Sequence, residues 1–165
     1  MSSFRFGSHL PVLMQAVRKT DGAILELGSG LYSTVYLHWA CFHAKRKLVT
    51  IESKKRYYRE IRNLRCDWHT VTFVDHWDNA DLNSDWSVVL VDHSPGWRRP
   101  IDARRVINAD YVIIHDTEEA HAHEYHYDEM WGAFKYRFDY KPGTNNTPET
   151  SVLSNKHDLT GFMDD

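Results

Sequence analysis

A series of short, mainly apolar runs, each closed by glycine, carboxylate or imidazole and parted from the next by a helical pattern, limits how this chain can fold. The runs are Ala23–Leu27, Leu48–Ile51, Val71–Val74, Val88–Val91 and Tyr111–Ile114. Runs of this length suit strands buried on both faces. The helical spacing between them carries each connection across a face of the sheet, so the expected sheet is parallel. Val35, Tyr36, Trp39, Ala40 and Phe42 give an apolar face to a helix starting near Ser33 or Thr34, and Tyr57, Ile61 and Leu64 mark another. Pro100 suits the first turn of a third helix, carrying Ile101, Val106 and Ile107. One helix is expected near Ser8 and another from about Glu118 to Trp131. Phe134 to Tyr140 alternates strictly and, past a turn-rich loop, meets Ser151–Leu153, so an antiparallel pair closes one edge. One domain over residues 1–165 is expected, with the first helix inside 1–22 and a loosely held tail over 157–165.

The charge is 20 basic against 23 acidic residues, a net −3, which gives no general attraction for a polyanion. Nucleic acid is therefore not an expected partner. Cys41 and Cys66 are too few for a disulfide framework, and no apolar stretch approaches the ~18 residues needed to cross a bilayer. A cytoplasmic protein without a membrane partner is expected.

Ligands of parallel sheets bind beyond the carboxyl ends of the strands. Here those positions read Gly28-Ser29-Gly30, Glu52, Asp75-His76-Trp77, Asp92-His93-Ser94-Pro95-Gly96 and His115-Asp116-Thr117-Glu118. Glycine at 28 and 30 permits a sharp turn and close approach to a ligand, and the amides opening the next helix are donors. Glu52 ends the following strand, where a carboxylate accepts hydrogen bonds from ribose hydroxyls. Strand, turn, helix, strand and acid together point to a nucleoside-containing ligand. A dinucleotide fingerprint would place a third glycine where this chain has Ser33. Glu26, just before the turn, can hold a cationic amino group or be a locally paired buried acid.

The stretch Ile24-Leu-Glu-Leu-Gly-Ser-Gly-Leu-Tyr-Ser-Thr34 resembles the first motif of class I S-adenosylmethionine-dependent methyltransferases. Val91-Asp-His-Ser-Pro-Gly, Arg99, His115-Asp-Thr-Glu118 and Thr150-Ser-Val-Leu-Ser-Asn155 are similar to a group of small methyltransferases of unassigned acceptor. The resemblance implies a Rossmann-like three-layer α/β sandwich, its seven-stranded sheet mostly parallel with an antiparallel C-terminal edge pair. It implies S-adenosylmethionine held by Glu26, Gly28, Ser29, Gly30, Ser33, Thr34 and Glu52, with Asp75, His76 and Trp77 near the adenine and Asp92 at the same site. A catalytically silent nucleoside-binding or assembly module of the same fold is the alternative, with a nicotinamide-dependent enzyme behind it.

Methyl transfer to a hydroxyl needs a base near the donor, and Asp92, His93, His115 and Asp116 are placed for it. His115 is the expected base, since imidazole titrates near neutral pH. Some O-methyltransferases of this fold hold a divalent cation after the fourth and fifth strands. By that resemblance Asp92, His115 and Asp116 are candidate ligands for magnesium or manganese. Glu119, His123 and His126 would share a helix face, although a solvated first turn explains them better. Arg98, Arg99 and Trp97 are candidates to bind a small, anionic acceptor, with Arg104 and Arg105 facing solvent. Trp77 and Trp97 can stack on an adenine or acceptor ring. With little chain beyond the minimal sheet, a second subunit can complete the acceptor pocket.

Overall fold

The apolar runs form the parallel part of a seven-stranded sheet. In the computed structural model, which describes residues 6–143 and 147–164, the strands are β1 (Ala23–Leu27), β2 (Leu48–Glu52), β3 (His69–Phe73), β4 (Trp86–Val91), β5 (Tyr111–His115), β6 (Tyr136–Tyr140) and β7 (Thr150–Ser154). Residues 1–5 of the expected N-terminal segment, 144–146 of the turn-rich loop and 165 of the tail lie outside the described residues. The spatial order is β3-β2-β1-β4-β5-β7-β6, parallel from β3 to β5 and antiparallel at β5-β7 and β7-β6. The order reverses between β1 and β4, which opens a crevice at their carboxyl ends.

The helices are α1 (Leu10–Arg18), α2 (Ser33–Ala44), α3 (Lys55–Ile61), α4 (Arg99–Arg105), α5 (Glu119–Glu124) and α6 (Asp128–Trp131). Strand residues alternate between two cores. Leu25, Leu27, Val89, Val91, Val112 and Ile114 join Ala103 of α4 and Met130 of α6 on one side. Ile24, Val88, Leu90, Tyr111 and Ile113 join Leu13 of α1 and Leu37 of α2 on the other. Two helical layers therefore sandwich the sheet, as expected. Among the described residues no helix is long and apolar enough to cross a membrane.

Besides shifts of a few residues at strand and helix ends, three larger differences from the sequence reading appear. The first helix begins at Leu10, with Pro11 in its first turn where a missing N–H costs little. The single helix expected across Glu118–Trp131 is two: His126 turns left-handed at φ 58 between α5 and α6, and Tyr127 is completely buried beside the break. His126 thus leaves the helix of Glu119 and His123, and their shared face does not form. The tail expected to be loose over 157–165 is anchored at two points among its described residues. Leu159 and Phe162 are buried against α1, and Gln15 Nε2 donates to the Phe162 carbonyl at 2.9 Å.

Candidate active site

The turn after β1 is closed from below and from the side. Gly28 has φ 87, and a Cβ there would stand 2.6 Å from the Asp92 carbonyl oxygen and the His93 Cα. Only glycine lets the loops after β1 and β4 cross this closely. Glu52, at the end of β2, fastens the turn: its Oε2 accepts from the Ser29 N–H and hydroxyl, each at 2.8 Å, and its Oε1 accepts from the Ser53 and Lys54 N–H groups, each at 2.7 Å. Thr34 donates to Glu26 Oε2 at 2.8 Å and accepts the Gly30 N–H at 3.0 Å. Glu26 is fully buried, Thr50 also donates to its Oε2 at 2.8 Å, and its Oε1 has no partner among the described residues. Burial pushes the Glu26 carboxyl up to about 7, against the nearby Ser33, Thr50 and Thr34 hydroxyls, which favour its ionised form. Glu26, Gly28, Ser29, Gly30, Ser33, Thr34 and Glu52 therefore gather as one unit.

Beside them a cleft of about 300 Å³ opens at the ends of β2, β3 and β4, lined by Ser53, Lys54, Asp75, His76, Trp77 and Trp97 among others. Asp75, His76 and Trp97 are exposed on its rim. Trp77 is buried: its ring stacks on His93 with centroids 4.0 Å apart, and its Nε1 donates to the Ser94 carbonyl at 2.9 Å. The expected adenine-stacking role of Trp77 is corrected accordingly, since His93 covers a face of the indole. His93 is likewise withdrawn from catalysis. It is 1% exposed, with Nε2 3.1 Å from Asp102 Oδ2, and burial lowers its pKa despite that neighbour. Arg98 pairs with Asp78 at 2.7 Å and Asp102 at 3.0 Å, so its charge is already engaged.

The acids and imidazole after β4 and β5 meet around Arg99. Its guanidinium donates to the His93 carbonyl at 2.8 Å, the His115 carbonyl at 2.8 Å, Asp116 Oδ2 at 2.9 Å and Asp92 Oδ1 at 3.0 Å. Buried and holding four acceptors, Arg99 is a staple between two loops, which corrects its expected role as an acceptor ligand. His115 Nδ1 lies 3.3 Å from Asp92 Oδ1, and its Nε2 meets the Ser8 hydroxyl at 2.9 Å. Burial depresses the His115 pKa, but Asp92 and then Asp116 prevail and raise it; Asp92, despite burial, is held well below the carboxylate range by His115 and Arg99.

No family model and no curated protein matches the chain. Solved structures do. Rv0187 from MTB, in a cofactor-bound crystal structure, aligns over 95% of this chain and 83% of its own at TM-score 0.67 and 14% identity. The O-methyltransferase TomG from Streptomyces achromogenes, in complex with SAM, aligns over 93% of this chain and 81% of its own at TM-score 0.64 and 18% identity. A methyltransferase from Pyrococcus furiosus aligns over 88% and 82% at TM-score 0.58 and 12% identity. The fold is that of the class I methyltransferases.

Within the methyltransferase fold, magnesium or manganese at Asp92, His115 and Asp116 does not fit. The Arg99 guanidinium already supplies the cation between the two carboxylates. Ligand atoms of His9, Asp92 and His115 do lie within 4.8 Å of one another, but two imidazoles are a poor set for a hard ion that prefers oxygen. Asp116, Glu118 and His121 form a second trio, in which His121 Nδ1 and Glu118 Oε1 are already paired at 2.6 Å.

Sequence reading missed Ser8 and His9. His9 is 2% exposed, packs edge-on against His115 at 4.7 Å and has no partner for either ring nitrogen among the described residues, while burial first and His115 second lower its pKa to about 4. Both residues precede α1 without any motif to mark them.

Proposed function

We propose that the protein is an S-adenosylmethionine-dependent methyltransferase acting on a hydroxyl of a small molecule. The observation that carries this reading is the unit of Glu26, the Gly28–Gly30 turn and Glu52 beside an open cleft at the carboxyl ends of β2, β3 and β4. Its residues suit the donor. The unpartnered Glu26 Oε1 can accept from the cationic methionine amino group, and a 300 Å³ cleft is at the lower limit for a nucleoside-sized ligand. For Glu52 to take the ribose hydroxyls, Ser29 must give up its hold on Oε2, because all four acceptor positions of the carboxylate are in use. Bound S-adenosylmethionine would supply an electrophilic methyl group; the chain has to hold, orient and deprotonate the acceptor.

His115 is the base in this reading, held by Asp92 through Nδ1. Its Nε2 faces the Ser8 hydroxyl, so an acceptor hydroxyl that displaced Ser8 would reach the same nitrogen. A base must be deprotonated to act, and the His115 pKa is raised, so the rate of transfer to alcohols should climb with pH through a midpoint above 6.5. Radiolabelled methyl transfer across an alcohol and phenol panel checks this. His115→Asn should abolish the climb and lower the rate on the order of 10²-fold while leaving donor affinity unchanged. A flat pH profile in the parent protein would remove His115 from the role. Glu52→Ala should weaken S-adenosylmethionine binding at least ~10-fold with the circular dichroism of a folded protein; unchanged affinity would remove Glu52 from the donor site.

A second reading, the catalytically silent module, is favoured by one observation. Every acceptor position of Glu52 is satisfied by the chain itself, as a purely structural turn would have it. Saturable donor binding with no turnover on any acceptor would support that reading.

A further inference from the structure

A line of buried polar groups leaves Glu26 and passes beneath α2. Thr50 on β2 donates to Glu26 Oε2 at 2.8 Å, its oxygen lies 2.9 Å from His69 Nε2 on β3, and His69 Nδ1 lies 3.0 Å from His38 Nδ1 on α2. Glu26, Thr50 and His69 are wholly buried and His38 is 6% exposed. Such a set is costly unless each member is satisfied, and apolar residues of similar size would pack at least as well.

The carboxylate fixes the direction of every link. The single Thr50 proton goes to Glu26, so His69 must donate through Nε2–H. That tautomer leaves His69 Nδ1 as an acceptor, so His38 must donate through Nδ1–H. At the other end Thr34 donates to the same Glu26 oxygen and accepts from the Gly30 amide, so the line continues into the glycine turn.

We infer that Thr50, His69 and His38 are positioning residues of the donor site, holding Glu26 through a hydrogen-bonded line whose polarity reverses when the carboxyl takes up a proton. The functional part rests on the donor-site reading above. Protons balance along the line. One enters at His38 Nε2, the Nδ1 proton of His38 passes to His69 Nδ1, the Nε2 proton of His69 passes to Thr50, and the Thr50 proton passes to Glu26. Both imidazoles end neutral in the opposite tautomer. Burial, with His38 second, lowers His69 to about 4, so its ring stays neutral while Glu26 titrates near 7. Burial also lowers His38, and two ionisable groups beside Glu26 hold still over that range. Burial raises the Cys41 thiol on α2 to about 11, and Asp92 beyond β4 stays ionised beside His115 and Arg99. On β4, Leu90 pairs in register with Glu26.

The test is long-range nitrogen–proton NMR of the imidazoles in the ligand-free protein between pH 5.5 and 8.5, alongside the Glu26 side-chain carboxyl carbon shift. Expected are Nε2–H on His69 and Nδ1–H on His38 at pH 8.5, both exchanged for the opposite tautomers at pH 5.5, with a single midpoint shared with the Glu26 carbon. Thr50→Val should uncouple the rings from that midpoint and weaken S-adenosylhomocysteine binding by about fivefold or more. The wild-type tautomers decide the matter even where that variant fails to fold. Tautomers that do not change, separate midpoints, or a folded Thr50→Val protein that binds as the parent does would overturn the inference. Reversing tautomers in a wild-type protein that does not bind S-adenosylhomocysteine would leave the line standing as the support of Glu26 and remove the donor reading.

Discussion

Arg99→Ala is expected to destabilise the fold by ~3–5 kcal/mol, a large share of the ~5–15 kcal/mol available to a domain. The guanidinium is buried and bridges the Asp92 and Asp116 side chains, which are themselves only 25% and 22% exposed. Its removal leaves two carboxylates without their cation and takes the guanidinium donor from the His93 and His115 carbonyls, of which His115 keeps the Tyr127 hydroxyl at 3.3 Å. Arg99→Lys should recover only part of the loss, because one ammonium cannot reach four acceptors arranged around a planar fork. Adding Asp92→Asn to Arg99→Ala should restore stability by removing one uncompensated charge, a coupling that a double-mutant cycle in urea would measure. A loss below ~1 kcal/mol for Arg99→Ala would show that the loops after β4 and β5 are held by something other than this residue.

Glu26→Gln is expected to stabilise the protein at alkaline pH, the opposite of what removing a charged residue from a hydrogen-bonded site usually does. The carboxyl sits at about 7 in the folded chain against an ordinary value of 4.5, and burial is the first cause. Between those values the folded state keeps a proton that the unfolded state has lost. This contribution is therefore fully present below pH 4.5, fades as pH rises towards 7 and is gone above it, a total of about 3 kcal/mol. Glutamine resembles the protonated form at every pH. The difference in unfolding free energy between Glu26→Gln and the parent should be small at pH 5 and reach ~1–3 kcal/mol in favour of the variant at pH 8. Urea titrations at pH 5, 6, 7 and 8 measure it. His115 also contributes less stability as pH rises, because its pKa is raised, but that contribution is common to both proteins and cancels. Parallel curves would mean that Glu26 is ionised throughout at no cost.

Much of this architecture could be read from periodicity. β1, β2, β4 and β5 stand where the apolar runs are, because a strand buried on both faces leaves a mainly apolar stretch, whereas β3, at the sheet edge and partly exposed, starts at His69, ahead of its run. The edge pair of β6 and β7 follows from the strict alternation after Phe134. What could not be read is what tertiary packing decides. His126 breaks a helical pattern that is continuous in sequence, and the break lies beside the buried Tyr127. Leu159 and Phe162 are apolar points in a polar tail that only α1 makes into core. The glycine turn and its two glutamates were legible because their spacing is local and their geometry demands particular residue types. Of the surroundings of His115 only Asp92 and Asp116 were, since Ser8 and His9 come from the far end of the chain, and a spacing rule cannot tell that Arg99 turns inward. Thr50 gave a weak signal, a polar residue at an inward position of a buried strand.

Calorimetric titration of the protein with S-adenosylmethionine and S-adenosylhomocysteine, with NAD as the control, tests the donor site most directly. Saturable one-to-one binding of both sulfur nucleosides and none of NAD is the expected result. Heat from NAD alone, or from none of the three, would contradict the assignment of Glu26, the Gly28–Gly30 turn and Glu52 to a methyl donor.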